Sequence, residues 1–286
     1  MPYTLIAPQI RCQLGEGLLW SARENAVYWV DIIGQKLHRY VLSSADTTSW
    51  SMPEKTGWIV ERRDRPGFIA GMQSGFVELT LDPVTVRHIA DPEPHLPGNR
   101  MNDCCVDRRG HLWAGTMDVP IEQVTGSLYR LDADHNVTHH DSDYLITNGP
   151  AFSPACDRMY HNDTGRSVVY RFDVAADGSL SNKREFIRFP EAWGVPDGMT
   201  VDAEGFLWIA QWGGGGISRF TPEGQRDRFV PLPASQITNV VFAGEKLDRL
   251  FATSAADGKP DEALAGSLFE VDAGGVKGLA PHLFAG

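Results

Sequence analysis

The stretch Asp202-Ala203-Glu204-Gly205-Phe206-Leu207-Trp208-Ile209-Ala210 joins a turn to a short apolar strand, and a second strand follows at Gly216-Ile217-Ser218-Arg219-Phe220. The same plan recurs along the chain. Asp107-Arg108-Arg109-Gly110 leads into Leu112-Trp113-Ala114-Gly115-Thr116, then Ser127-Leu128-Tyr129-Arg130-Leu131-Asp132. Met159-Tyr160-His161-Asn162-Asp163 precedes Val168-Val169-Tyr170-Arg171-Phe172-Asp173. Further copies start at Val27-Tyr28-Trp29-Val30-Asp31, at Gly67-Phe68-Ile69-Ala70-Gly71 and at Leu250-Phe251-Ala252-Thr253-Ser254. Each strand is short and rich in Val, Ile, Tyr, Phe and Trp, with Gly and Asp punctuating the turns.

The anchor aromatics Tyr28, Phe68, Trp113, Tyr160, Trp208 and Phe251 stand 40 to 48 residues apart. One four-stranded propeller blade takes about 40–50 residues. Six copies fill the chain, so the reading is all-β: a six-bladed β-propeller, one domain over residues 1–286. A pair of β-sandwiches is the rival arrangement, but it gives no reason for a repeat of this length. Residues 5–14 read as a strand that completes the last blade and closes the ring, which removes exposed sheet edges. No amphipathic helix is expected, and residues 257–265 are expected to form only a short turn.

The net charge of -11 comes without any run of Lys or Arg. A basic face is what displaces counterions from phosphates, so neither nucleic acid nor an anionic membrane is an expected partner. The start, Met1-Pro2-Tyr3-Thr4-Leu5, lacks a leader pattern, and no stretch approaches the ~18 apolar residues of a membrane helix. The expected location is the cytoplasm, as a monomer or weak homo-oligomer. Cys12, Cys104, Cys105 and Cys156 show no Cys-x-x-Cys spacing and read as free buried thiols.

Innermost propeller strands aim their ends at the axis, so polar residues just before such strands converge. Four stretches qualify: Gly15-Glu16-Gly17, Asn99-Arg100-Met101-Asn102-Asp103, Thr147-Asn148-Gly149-Pro150 and Pro196-Asp197-Gly198. Each alone is an ordinary turn; their recurrence at matching points of successive blades is what argues for a site. Two carboxylates and two amides are oxygen donors, suited to hard divalent cations such as calcium, magnesium, manganese or ferrous iron. A cation also offsets the repulsion and desolvation of buried Glu16 and Asp197. His161 reads as a packed or surface residue, and the glycine run Gly213–Gly216 as a loop without phosphate-cradle features. Trp20, Trp193 and Trp212 read equally well as core or as pocket wall. A Gly-x-Ser-x-Gly elbow is absent, which argues against an α/β-hydrolase route.

These motifs, together with Gly115-Thr116-Met117, Gly126-Ser127-Leu128-Tyr129 and Thr238-Asn239-Val240-Val241-Phe242, resemble the regucalcin and gluconolactonase family, also called the senescence-marker-protein-30 family. The resemblance implies a six-bladed propeller with a central metal site that hydrolyses sugar (aldono) lactones, and in its details a bacterial sugar lactonase. It implies Glu16, Asn148 and Asp197 as ligands of one divalent metal ion, with calcium, zinc, manganese, magnesium and ferrous iron left open. It implies Arg100 and Asn102 as the residues holding the lactone hydroxyls, and Asp197 as general base. The animal members carry a substrate-binding glutamate near the position of Pro120; the resemblance leaves open whether Asp118 or Glu122 replaces it here or the contact is missing. The rival functions are a phosphotriesterase-like metal-dependent esterase and a non-enzymatic calcium-binding regulator or sugar-binding module.

Overall fold

The computed structural model describes residues 3–286. Six four-stranded antiparallel sheets, numbered here as blades 1 to 6 in chain order, stand around a common axis. The innermost strands are Gly15–Ser21, Thr56–Glu61, Asn99–Val106, Thr147–Phe152, Val195–Val201 and Ile237–Ala243. In blades 1 to 5 the other three strands follow outward in sequence order. Helix among the described residues amounts to two three-residue 3-10 turns, Thr164–Arg166 and Glu191–Trp193. Residues 257–265 form successive turns, as expected.

The recurring Asp-x-x-Gly-x-Leu-Trp motif explains how a blade sets its register. Asp202 accepts backbone N–H groups of Glu204 and Phe206 at 2.9 and 3.0 Å. Its other oxygen accepts the indole N–H of Trp208 at 2.8 Å. Asp107 does the same for Arg109, His111 and Trp113. One carboxylate therefore ties the turn to the second strand, and the glycine supplies the left-handed residue, φ +85° at Gly110 and +83° at Gly205. Trp113 and Trp208 are fully buried between adjacent blades. The core is a set of wedges rather than one centre: Tyr28, Ile59, Ala70 and Val77 pack blade 1 on blade 2, and Trp208, Ile217, Val240 and Phe269 pack blade 5 on blade 6.

Blade 6 takes three strands from the end of the chain and its outermost, Tyr3–Ile6, from the beginning. Tyr3–Ile6 pairs antiparallel with Leu268–Val271. The N-terminal closure expected of residues 5–14 is therefore made, but by an earlier and shorter strand. After Ile6 the chain turns at Ala7 (φ +46°) and crosses to the axis, where Leu14 bridges Ala255. The reason is distance: outermost and innermost strands lie three spacings apart, roughly 14 Å at ~4.8 Å each. Residues 7–14 are spent on that crossing.

A tail after Val271 had no expectation attached to it. It passes under the ring, bridges Asp202 through Gly278, and inserts Phe284 into the apolar wedge of blades 2 and 3. Phe284 exchanges backbone hydrogen bonds with Glu61 and Arg63, and Arg62 donates to the Gly286 carbonyl at 2.9 Å. Among the described residues no helix is long and apolar enough to cross a membrane. All four cysteines are free.

Candidate metal and substrate site

Every innermost strand loses its pairing with the second strand at the same place. The ladder skips between Glu16 and Leu19, Thr56 and Trp58, Met101 and Cys104, Asn148 and Ala151, Pro196 and Met199, and Ile237 and Val240. A β-bulge releases residues from the ladder and re-aims their side chains. Here the released or flanking residues are Glu16, Asn102, Asp103, Asn148, Asp197 and Asn239, all buried. Blade 2 contributes only Gly57. The strands approach one another closely at this level: a Cβ on Gly17 would lie 2.5 Å from the Gly57 carbonyl oxygen, and Gly17 has φ +55°. Glycine is therefore required beside Glu16 for both space and conformation.

The three carboxylates are not equivalent. Asp103 spends both oxygens, on the N–H groups of Cys104 (2.8 Å) and Gly149 (2.9 Å). Glu16 uses Oε2 alone, accepting from Gly17 N and Asn239 Nδ2 at 3.1 Å each. Asp197 uses Oδ1 alone, accepting from Gly198 N at 3.1 Å. Glu16 and Asp197 thus each keep an oxygen without a hydrogen-bond partner. Asn148 accepts from Asn102 Nδ2 on Oδ1 and donates to Thr164 Oγ1. Arg100 donates to Asn102 Oδ1 at 2.6 Å and to the Met101 carbonyl at 2.9 Å.

The electrostatics match this crowding. Burial, with the charge of Asp103 added, pushes the Glu16 carboxyl up to about 8. Burial raises Asp103 to about 7. Asp197 lies well above the usual carboxylate range through burial and then through Glu16 and Asp103. The Arg100 guanidinium acts on both Glu16 and Asp197, and burial lowers it to about 10 against their pull. Three buried acids, when ionised, outnumber the one guanidinium, and a divalent cation would offset the difference. Among the described residues no three His, Cys, Asp or Glu side chains form a chelating group by themselves. The donor set fits a hard cation once the Asn148 amide oxygen joins the free oxygens of Glu16 and Asp197.

A cavity of about 420 Å³ lies lower in the channel. It is walled by Trp20, Val60, Phe152, Val201 and Phe242, and bounded below by tail residues 279–282. Of the polar ring only Asp103 and Asn239 border it. A recess of about 30 Å³ opens beside Arg100 at the other end, lined by Gln73, Glu93, Asn99 and Thr116. The polar ring therefore sits at the mouth where the innermost strands begin, and the cavity is mostly apolar space behind it.

The structure brings the residues anticipated from sequence, Glu16, Arg100, Asn102, Asn148 and Asp197, into one buried ring. It adds Asp103 and Asn239, which counting the same bulge in blades 3 and 6 would have found. Asp118 ties down its own loop, its Oδ2 accepting N–H groups of Glu122 (2.9 Å) and Gln123 (3.1 Å). Glu122 is exposed. The buried acid beside the Arg100 recess is Glu93, which accepts from Asn99, Thr116 and Tyr129 at 2.7, 2.9 and 3.0 Å. Trp20 is core at the channel floor, and Trp193 packs on Phe189 and Phe220. His161 is fully buried against Tyr144 and is lowered to about 3 by burial.

Residues 14–256 match the model of the SMP-30/gluconolactonase/LRE-like region. The chain is 36% identical to 6-deoxy-6-sulfogluconolactonase of Pseudomonas putida, over 96% of this chain and 95% of that one. It is 34% identical to the pentonolactonase XacC of Haloferax volcanii, over 91% of each. Its fold superposes with a TM-score of 0.92 on regucalcin of Agrobacterium tumefaciens, described as a calcium-binding protein, at 28% identity over 99% and 98% of the two chains. With six bulged innermost strands, an axial ring of acids and amides, and this match over nearly its whole length, the chain belongs to the SMP-30/gluconolactonase family.

Proposed function

We propose that this protein is a lactonase that opens a sugar lactone of the pentono- or hexonolactone class to the sugar acid, with one divalent cation bound by Glu16, Asn148 and Asp197. One observation carries the reading: oxygen donors from blades 1, 4 and 5 converge beside a buried guanidinium, and both acids keep an oxygen free. Relatives named as sugar lactonases support the substrate class.

The cation, when bound, supplies Lewis-acid polarisation of the lactone carbonyl. Arg100 and Asn102 hold the sugar hydroxyls, and Arg100 adds positive charge where the oxyanion develops. Water attacks the carbonyl carbon, and its proton passes to Asp197. The ring C–O bond then breaks, and Asp197 returns the proton to the released ring oxygen. The carboxylate ends the cycle as it began, and no serine or cysteine nucleophile takes part. The unit of activity is the whole chain, 1–286, acting as one domain on a small molecule in the cytoplasm. Neither nucleic acid nor membrane takes part, and the chain works as a monomer or weak homo-oligomer.

The test is a pH-drop assay over a panel of pentono- and hexonolactones, repeated with calcium, zinc, manganese, magnesium and ferrous iron. Hydrolysis that survives in protein shown metal-free by elemental analysis sinks the cation's part. Preference for an organophosphate moves the assignment to a phosphotriesterase-like esterase. Calcium binding with no ester hydrolysed leaves a calcium-binding regulator.

A further inference from the structure

A chain of hydrogen bonds runs sideways through the site from blade 3 to blade 5. Arg100 Nη1 donates to Asn102 Oδ1 at 2.6 Å, and Asn102 Nδ2 donates to Asn148 Oδ1 at 3.1 Å. Asn148 Nδ2 donates to Thr164 Oγ1 at 2.8 Å, and Thr164 Oγ1 donates to the Pro196 carbonyl at 2.7 Å. Every residue in it is buried. Its direction is determined by its ends, because a guanidinium can only donate and a backbone carbonyl can only accept. Reversing the Asn148 amide would set its NH2 against the NH2 of Asn102.

This polarity decides which atom of Asn148 meets the axis. Thr164 follows the second strand of blade 4, farther from the axis than Asn148, and it takes the NH2 end. The amide oxygen is left on the opposite side, facing Asn102 of the polar ring. Thr164 is itself anchored: its N–H donates to the Ile146 carbonyl and its carbonyl accepts from Ser167, both at 3.0 Å. A β-branched side chain in such a frame has few rotamers.

We infer that Thr164 is a positioning residue that turns the Asn148 amide oxygen toward the cation, so that the hydroxyl, which touches neither metal nor substrate, sets metal affinity. The inference rests on the proposed metal site. Outer-sphere partners of this kind typically change metal affinity by about 10–100-fold. Valine at this place keeps the shape, removes the acceptor, and leaves the single bond from Asn102 to orient the amide.

The experiment is calorimetric titration of calcium into the full-length protein, with melting temperature recorded alongside. Thr164→Val should weaken calcium binding about tenfold or more, and Thr164→Ser should restore it. Thr164→Ala replaces the valine variant if that one does not fold. A second arm repeats Thr164→Val on Asn148→Asp, whose two oxygens need no orienting; there the loss should largely vanish. Unchanged calcium affinity in Thr164→Val, even with a lower melting temperature, overturns the inference and leaves the metal site standing. So does an equal loss on the Asn148→Asp background. Wild-type protein that binds no calcium, zinc, manganese, magnesium or ferrous iron overturns both the inference and the site beneath it.

Discussion

At their starting ends the innermost strands set Glu16, Asn102, Asp103, Asn148, Asp197 and Asn239 on the axis, whereas their finishing ends set Trp20, Val60, Val106, Phe152, Val201 and Phe242 around the same channel. The change from ionic to apolar takes about four residues, roughly 13 Å of strand at ~3.3 Å each. The bulges lie between the two ends. Below them the strands pair regularly and pack like any sheet. Above them pairing resumes for two or three residues, as at Gly15 with Asp31 and Arg100 with Met117, and the polar side chains at the bulges are held by bonds across blade boundaries, such as Asn239 to Glu16 and Asn102 to Asn148. The difference teaches a division of labour: the lower end holds the ring together, and the upper end carries charge that the ring alone does not neutralise.

If that division is right, changes at the upper end alter chemistry and leave folding intact. Asp197→Asn should lower kcat/KM by about 10²–10⁴, the usual worth of a positioned base. Its melting temperature should hold or rise, because a buried charge is removed. Near-normal turnover would remove Asp197 as the base. The converse change is Phe242→Ala at the lower end, where Phe242 lies edge-on to Trp208 at 5.8 Å between ring centroids. It should cost about 3–5 kcal/mol in denaturant unfolding. The folded fraction should keep its KM, and a KM shift larger than the stability effect would show that the two ends are coupled.

A smaller effect concerns pH. In the folded metal-free protein Glu16 titrates near 8 instead of 4.5, and Asp103 near 7 instead of 3.8. A raised carboxyl binds its proton more tightly folded than unfolded, so it favours folding while protonated. That contribution is present below about pH 4 and is lost as pH rises toward 8. Metal-free protein should therefore lose melting temperature across this window, and a saturating cation should flatten the decline. The same slope with and without cation would mean that no ion compensates these acids. The smallest expected effect is Glu122→Gln, on the exposed loop, at less than about 0.5 kcal/mol in stability. An unchanged KM is expected as well. A clear rise in KM would place Glu122 in the role of the family glutamate.

The fold was readable because one device repeats: an Asp turn, a glycine and an aromatic, as at Asp107 with Trp113 and Asp202 with Trp208. Glu16, Asn148 and Asp197 were readable because each sits in a short glycine-containing motif at blade spacing. Asp103 and Asn239 carry the same signal but gain meaning only from partners across the ring, with Glu16 and Asn239 separated by 223 residues. Thr164 and Glu93 lie in connecting segments outside the repeat, so no periodicity marks them. Apolar residues among 5–14 cannot distinguish a strand from a crossover, and only the width of the blade decides it. Phe284 is a single aromatic in an aperiodic tail, and its burial depends on a wedge formed some 200 residues earlier in the chain.

The pairing of Tyr3–Ile6 with Leu268–Val271 has a consequence for how the protein is made. On the ribosome the first blade emerges early, yet its Glu16 lacks the side-chain partner Asn239 until blade 6 has been translated. The bonds from Thr238 to the Gly15 carbonyl and from Asn239 to Glu16 cross that seam. A nascent chain can stack blades as they appear, but the ring cannot shut until residue 271 has left the exit tunnel. The polar ring is therefore complete only once the last blade has formed, and a truncated chain that lacks the last strand should give a stack of blades with that ring open.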